Sequence, residues 1–213
     1  MKAIVLFVCL LLTSSDARLQ AALSILPDLA FFFRGDNSSL YDVKGDNFTK
    51  IADIPARFYF EGIPDEITGA TNLLSDDRLD VITMLFQNET LYLVGNNVTM
   101  TKFELKDLFP GLSRTVDAAY PVVVGNRTVV GTNFIYKNTI FKCAEIGKRC
   151  TTQTLRSFTR FPREFLRDGR RIKAAFALPD GGAVLFKENY HVILKDDQVQ
   201  VQRRNDDVFG GIN

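Results

Sequence analysis

Apolar and polar positions along this chain fall into a unit that recurs four times. Each unit opens on a pair of small residues, runs through an apolar stretch to an aromatic, and breaks at a short polar turn. The pairs are Ala21-Ala22, Gly69-Ala70, Ala118-Ala119 and Ala174-Ala175, and their second members lie 48, 49 and 56 residues apart. The turns follow Phe33 (Arg34-Gly35-Asp36), Phe86 (Gln87-Asn88-Glu89), Tyr136 (Lys137-Asn138-Thr139) and Phe186 (Lys187-Glu188-Asn189). Self-similarity at a period of this size marks solenoids, propellers or arrays.

Beyond each turn the chain returns to strand type, as in Leu91-Tyr92-Leu93-Val94, Thr139-Ile140-Phe141 and Tyr190-His191-Val192-Ile193. A hydrophobic run, a polar turn and a second run predict a β-hairpin. The competing reading of the small pairs is helical, because Ala favours helix and Leu19-Gln20-Ala21-Ala22-Leu23 could open one. If each unit instead supplies a hairpin and an inner strand, Ala and Gly are needed where the inner strands converge on an axis. Three units close on a proline, at Ile54-Pro55, Phe109-Pro110-Gly111-Leu112 and Phe161-Pro162, which resets the chain before the next inner strand.

The stretch from Phe109 to Tyr120 (Phe-Pro-Gly-Leu-Ser-Arg-Thr-Val-Asp-Ala-Ala-Tyr) closely resembles the junction between repeats of hemopexin-like domains. Lys173-Ala174-Ala175-Phe176 with Val184-Leu185-Phe186-Lys187 resembles it too, as does Ala21-Ala22-Leu23 with Phe31-Phe32-Phe33-Arg34-Gly35-Asp36. The resemblance implies an all-β chain, a four-bladed β-propeller of antiparallel blades with short helices between them. The expected blades cover about 18–64, 65–112, 113–168 and 169–213. The second repeat departs from the pattern with Thr68-Gly69-Ala70-Thr71. The acidic residue that precedes the pair in the family survives as Asp117, with Gln20, Thr68 and Lys173 in the other places. The cysteines that usually join the first and last blades are missing, so ring closure is expected to rest on packing or on strand exchange near the termini.

Residues 1–17 read as a cleaved secretory signal: Lys2, an apolar stretch from Ala3 to Leu12, then Ser15-Asp16-Ala17. A membrane anchor would want roughly 20 apolar residues, and no span is expected later in the chain. Five sequons, at Asn37, Asn47, Asn88, Asn97 and Asn126, support a secreted, extracellular glycoprotein. Cys9 leaves with the signal, so Cys143 and Cys150 remain as a pair. A disulfide across that short hairpin is worth roughly 2.5 kcal/mol. The remaining residues, 46% hydrophobic over the whole 213-residue chain, suffice for one core.

Catalytic chemistry finds little to work with. One histidine, His191, excludes an HExxH zinc site and any Ser-His-Asp system built on another His. The carboxylate pairs Asp76-Asp77, Asp196-Asp197 and Asp206-Asp207 fall in polar loops and read as solvated turns. The expectation is therefore a non-catalytic binding module.

Three kinds of ligand follow. Lys148 to Lys173 holds nine basic residues against Glu164 and Asp168, a local charge of +7 in a chain of net +1. Arg156, Arg160, Arg163, Arg167, Arg170, Arg171 and Lys173 are thus candidates for a polyanion such as a glycosaminoglycan, or for an extracellular protein partner; ion pairing to acidic loops is the alternative. Arg34, Gly35 and Asp36 form the tripeptide that integrins read on exposed turns, although the hairpin needs turn residues there in any case. From the family resemblance come a calcium or chloride ion in the tunnel, with Gln20, Thr68, Asp117 and Lys173 at its mouth, and haem, for which His191 is the candidate ligand. No nucleic-acid partner is expected, and the chain is read as a monomer or weak homodimer. A structural matrix or storage protein is the remaining class.

Overall fold

The computed structural model describes residues 19–26, 28–35, 37–45, 47–58, 60, 62–64, 67–74, 81–94, 100–112, 115–124, 128–167, 171–178, 180–188, 190–196 and 198–204. The signal segment, Asp36, Asp76-Asp77, Asn97, Asn126, Arg170, Asp197 and Asp206-Asp207 lie outside them. Each pair of small residues opens a strand, not a helix. The first blade is β1 (Ala21–Leu26), β2 (Leu29–Arg34), β3 (Asn37–Lys44) and β4 (Asn47–Pro55). The second is β5 (Gly69–Leu74), β6 (Val81–Gln87), β7 (Thr90–Val94) and β8 (Thr101–Glu104). The third is β9 (Ala118–Val124), β10 (Thr128–Tyr136), β11 (Thr139–Cys143) and β12 (Thr151–Thr154). The fourth is β13 (Ala174–Ala177), β14 (Ala183–Phe186), β15 (Tyr190–Lys195) and β16 (Gln198–Arg204). Within every sheet the strands follow chain order, and each pairs antiparallel with the next.

The reason for the small pairs lies in the register. Ala21 pairs with Phe33 and Ala22 with Phe32; Gly69 pairs with Phe86, Ala119 with Phe134, and Ala174 with Phe186. Paired residues share a face of the sheet, so a bulky second-strand side chain fills the space beside a minimal inner-strand one. Successive residues point to opposite faces, and each face of a blade packs on a different neighbour. Ala21 and Phe33 lie in the seam with the second blade, whereas Ala22 and Phe32 lie in the seam with the fourth. The two members of a pair thus serve two seams, where the expectation had placed them simply around the axis. At Gly69 an added Cβ would sit in ordinary contact, 3.4 Å from the Ala118 Cα and 3.5 Å from a Val116 methyl, so the adjacent inner strand lies directly against this position.

Among the described residues ring closure rests on packing, and the fourth sheet is built from its own stretch of chain. The seam between first and fourth blades holds Phe32, Tyr41 and Phe48 on one side and Phe176 and Phe186 on the other. Phe32 meets Phe186 edge-on at 5.3 Å and Phe176 at 5.7 Å between ring centroids. Such pairs add about 0.5–1.5 kcal/mol each beyond the area they bury.

Linkers between blades carry short helical pieces: 3-10 turns at Ala56–Phe58 and Leu155–Ser157, and the helices α1 (Leu105–Leu108) and α2 (Arg163–Arg167). They also latch onto the next blade's outer hairpin. The Gly147 N–H donates to the Leu108 carbonyl at 2.7 Å, and the Val199 N–H to the Thr159 carbonyl at 3.1 Å. The Cys143–Cys150 disulfide closes the loop that makes the first of these contacts. Among the described residues no helix is long and apolar enough to cross a membrane.

Candidate functional site

The residue before each inner strand does the same job in every blade. The backbone N–H groups of Gln20, Thr68, Asp117 and Lys173 donate to the carbonyls of Phe33, Phe86, Ile135 and Phe186 at 2.7–2.9 Å, extending each hairpin by one bond. In two blades the side chain also caps the turn. Gln20 Oε1 accepts from the Gly35 N–H at 3.0 Å, and Asp117 Oδ2 from the Lys137 N–H at 2.6 Å. Gly35 and Lys137 both have a positive φ, 56° and 54°. In these two blades the acceptor satisfies the N–H of a left-handed turn residue. At Thr68 the hydroxyl instead donates to the Phe86 carbonyl at 3.2 Å.

These four residues converge on one pocket of about 290 Å³ at the end of the axis where the inner strands begin. Asn88, Thr115, Arg171 and Ile172 complete much of its wall. Asp117 is 6% exposed. Burial pushes its carboxyl above the usual carboxylate value, while the Lys137 N–H and the Arg171 and Lys173 cations pull the other way. Arg171 reaches Asp117 Oδ1 with Nη1 at 3.3 Å.

The basic candidates divide between two places. Arg171 and Lys173 belong to the tunnel mouth. Arg156, in the second 3-10 turn, and Arg163, at the start of α2, flank a separate pocket of about 410 Å³ with Phe161 and Leu166. Arg160 is exposed on the turn between them, at φ 62°. None of Arg156, Arg160 and Arg163 is in an ion pair with a described residue. The backbone of Arg167 lies in α2, and its side chain and all of Arg170 are outside the described residues. Lys148, from the same basic run, pairs with Glu145 at 2.7 Å.

His191 is fully buried, with its ring 5.5 Å from Phe186 and 6.0 Å from Phe48, inside the seam that closes the ring. That position leaves His191 no open face for an axial ligand, so His191 does not fit a haem. Arg34 and Gly35, both half-buried, stand at the β2–β3 turn, tied to the tunnel mouth through Gln20. Asn37, Asn47 and Asn88 are exposed, and Asn88 borders the mouth.

Sequence reasoning missed Asn88, Thr115 and Arg171 as mouth residues, and Phe161 and Leu166 as pocket walls. For Arg171 a signal was present: it stands two residues before Lys173, whose place in the repeat already puts it at the mouth.

The sequence matches no family model and no curated protein. Solved structures do resemble the fold. The hemopexin-fold protein CP4 from cow pea aligns at 13% identity with a TM-score of 0.67, over 90% of this chain and 95% of that one. Seed albumin LS24 from Lathyrus sativus aligns at 15% identity and 0.69, over 91% and 95%. A plant lectin with two metal-binding sites from Cicer arietinum aligns at 14% and 0.67, over 91% and 96%. The chain therefore has the hemopexin fold, a four-bladed β-propeller, and its structural neighbours include plant seed albumins and a lectin.

Proposed function

We propose that this protein is a secreted, non-catalytic binding module whose arginine-bearing rim between the third and fourth blades takes a polyanionic extracellular partner such as a glycosaminoglycan. The observation that carries this reading is the state of Arg156, Arg160 and Arg163: exposed, close in sequence, and in no ion pair with a described residue. An unpaired guanidinium keeps its donors for an external carboxylate or sulfate. Secretion is supported by the N-terminal signal pattern, by three exposed sequon asparagines and by the disulfide, which belongs to oxidising compartments. The non-catalytic reading is supported by the burial of the single histidine in a packing seam.

The test is a salt-graded elution from immobilised heparin, comparing the native protein with an Arg156→Ser/Arg160→Ser/Arg163→Ser variant. Retention of the native protein above physiological salt, lost in the variant, is the expected result. Native retention no greater than that of a neutral glycoprotein refutes the reading.

A second reading concerns the mouth. Gln20, Thr68, Asp117 and Lys173 converge there, and an ion in the tunnel would meet them first. With Arg171 and Lys173 against a single carboxylate already engaged by Lys137 and Arg171, this donor set suits chloride better than calcium. Isothermal titration with each salt separates the two.

A further inference from the structure

The pocket between the Leu155–Ser157 turn and α2 has a feature that a simple polyanion surface does not need. Among the described residues its wall carries two arginines and two apolar side chains. Arg156 and Arg163 are exposed, while Phe161 and Leu166 are half-buried and rest on a core of Phe158 and Phe165. Phe161 meets Phe165 edge-on at 5.5 Å and Phe158 at 6.3 Å. Below that layer, the buried Lys187 lies 5.1 Å from the Phe165 ring centre and donates to the Phe165 carbonyl, fixing the backbone of α2 to the fourth blade's hairpin. The apolar floor is therefore held in place by the core rather than free to fold over its own arginines.

A long polysaccharide would use the guanidinium groups and leave a phenyl and an isobutyl group in water. A volume of about 410 Å³ also lies in the range of small-molecule pockets, roughly 300–1,000 Å³. We infer that this pocket binds a small amphipathic anion, a carboxylate, sulfate or sulfonate attached to an apolar body. Arg156 and Arg163 take the anionic group through paired N–H donors. The apolar body lies against Phe161 and Leu166, withdrawing their faces from water. A neutral compound of the same shape loses the charge-assisted bonds, and a free inorganic anion loses the apolar contact. This inference rests on the rim arginines, which form no ion pair with a described residue, for its cations, and adds to them the ligand class that the apolar wall selects.

The experiment is a fluorescence titration with anilinonaphthalene sulfonate at physiological salt, on the folded full-length secreted protein. The expected result is saturable binding to one site, displaced by decanoate and not by decyltrimethylammonium. Arg156→Ser/Arg163→Ser, which alters exposed side chains, weakens binding at least about tenfold, the scale of losing a charge-assisted hydrogen bond. Leu166→Gln and Phe161→Gln, each made separately because both side chains also pack on the core, weaken probe binding while retention on heparin persists, both read well below each variant's own thermal midpoint.

Non-saturating fluorescence, displacement by the cationic detergent as readily as by decanoate, or binding unchanged in the double arginine variant overturns the inference. Heparin retention without saturable probe binding refutes the pocket and leaves the rim reading standing. Probe binding without heparin retention does the reverse.

Discussion

The tunnel mouth and the rim between the third and fourth blades use the same kind of side chain in opposite states. At the mouth the charges are internal to the structure. Asp117 is buried, caps the Lys137 turn and pairs with Arg171, so its carboxylate oxygens are both occupied. At the rim, Arg156, Arg160 and Arg163 contact no acidic described residue. The mouth is built four times over by equivalent positions in the repeat. At the rim, Arg160 and Arg163 occur in one linker, whereas Arg156 has basic counterparts in Arg57 and Lys106 of the first two linkers. Charge at a repeated position is explained by folding; charge at an unrepeated one asks for a partner.

That contrast breaks most severely at Gly69. Gly69→Val would drive methyl groups against Ala118 and Val116 of the adjacent inner strand, with a cost of about 3 kcal/mol in urea unfolding. A change below about 1 kcal/mol would mean that the inner strands yield, and that the small pairs are not set by close approach.

Asp117→Ala comes next. It removes the acceptor for a left-handed turn and is expected to cost about 2 kcal/mol. Asp117→Asn keeps an acceptor there and isolates the charge. Because burial raises the folded carboxyl above its usual 3.8, folding favours the acid form. Wild type therefore gains stability relative to Asp117→Asn as pH falls through the folded titration, and loses that gain as pH rises through it. Unfolding free energies of both proteins on either side of this window, which begins near 3.8, check the sign. A gap that widens in favour of wild type with rising pH would show that Arg171 and Lys137, not burial, govern the carboxyl.

The smallest effect on stability is expected at the rim. Replacing Arg156, Arg160 and Arg163 with serine should leave the unfolding free energy within about 0.5 kcal/mol of wild type. Destabilisation of several times that size would place these arginines among the structural charges and dissolve the contrast with the mouth.

Much of the architecture was legible before any coordinates. The four small pairs mark the first residues of β1, β5, β9 and β13, and the polar turns fall where the second and third strands of each blade meet. Gln20, Thr68, Asp117 and Lys173 were grouped by their place in the repeat, and the pocket at the mouth contains all four. Repetition makes this possible, because equivalent positions in four blades must meet around one axis whatever their side chains.

Other features had no local trace. Arg171 is 54 residues from Asp117, and nothing in either segment names the other. Closure of the ring by Phe32, Phe48, Phe176 and Phe186 joins the two ends of the chain. The apolar wall of Phe161 and Leu166 exists only because α2 rests on Phe158 and Phe165.

By itself, then, the sequence determined the number of repeats, where each inner strand begins and where each hairpin turns, since these follow from side-chain size and polarity repeated at a fixed period. Only the tertiary structure decided which charges are spent on folding and which remain open, and which His, Phe and Leu are sealed or presented. Those outcomes depend on what packs across a seam, and the residues that meet there are separated along the chain by whole blades.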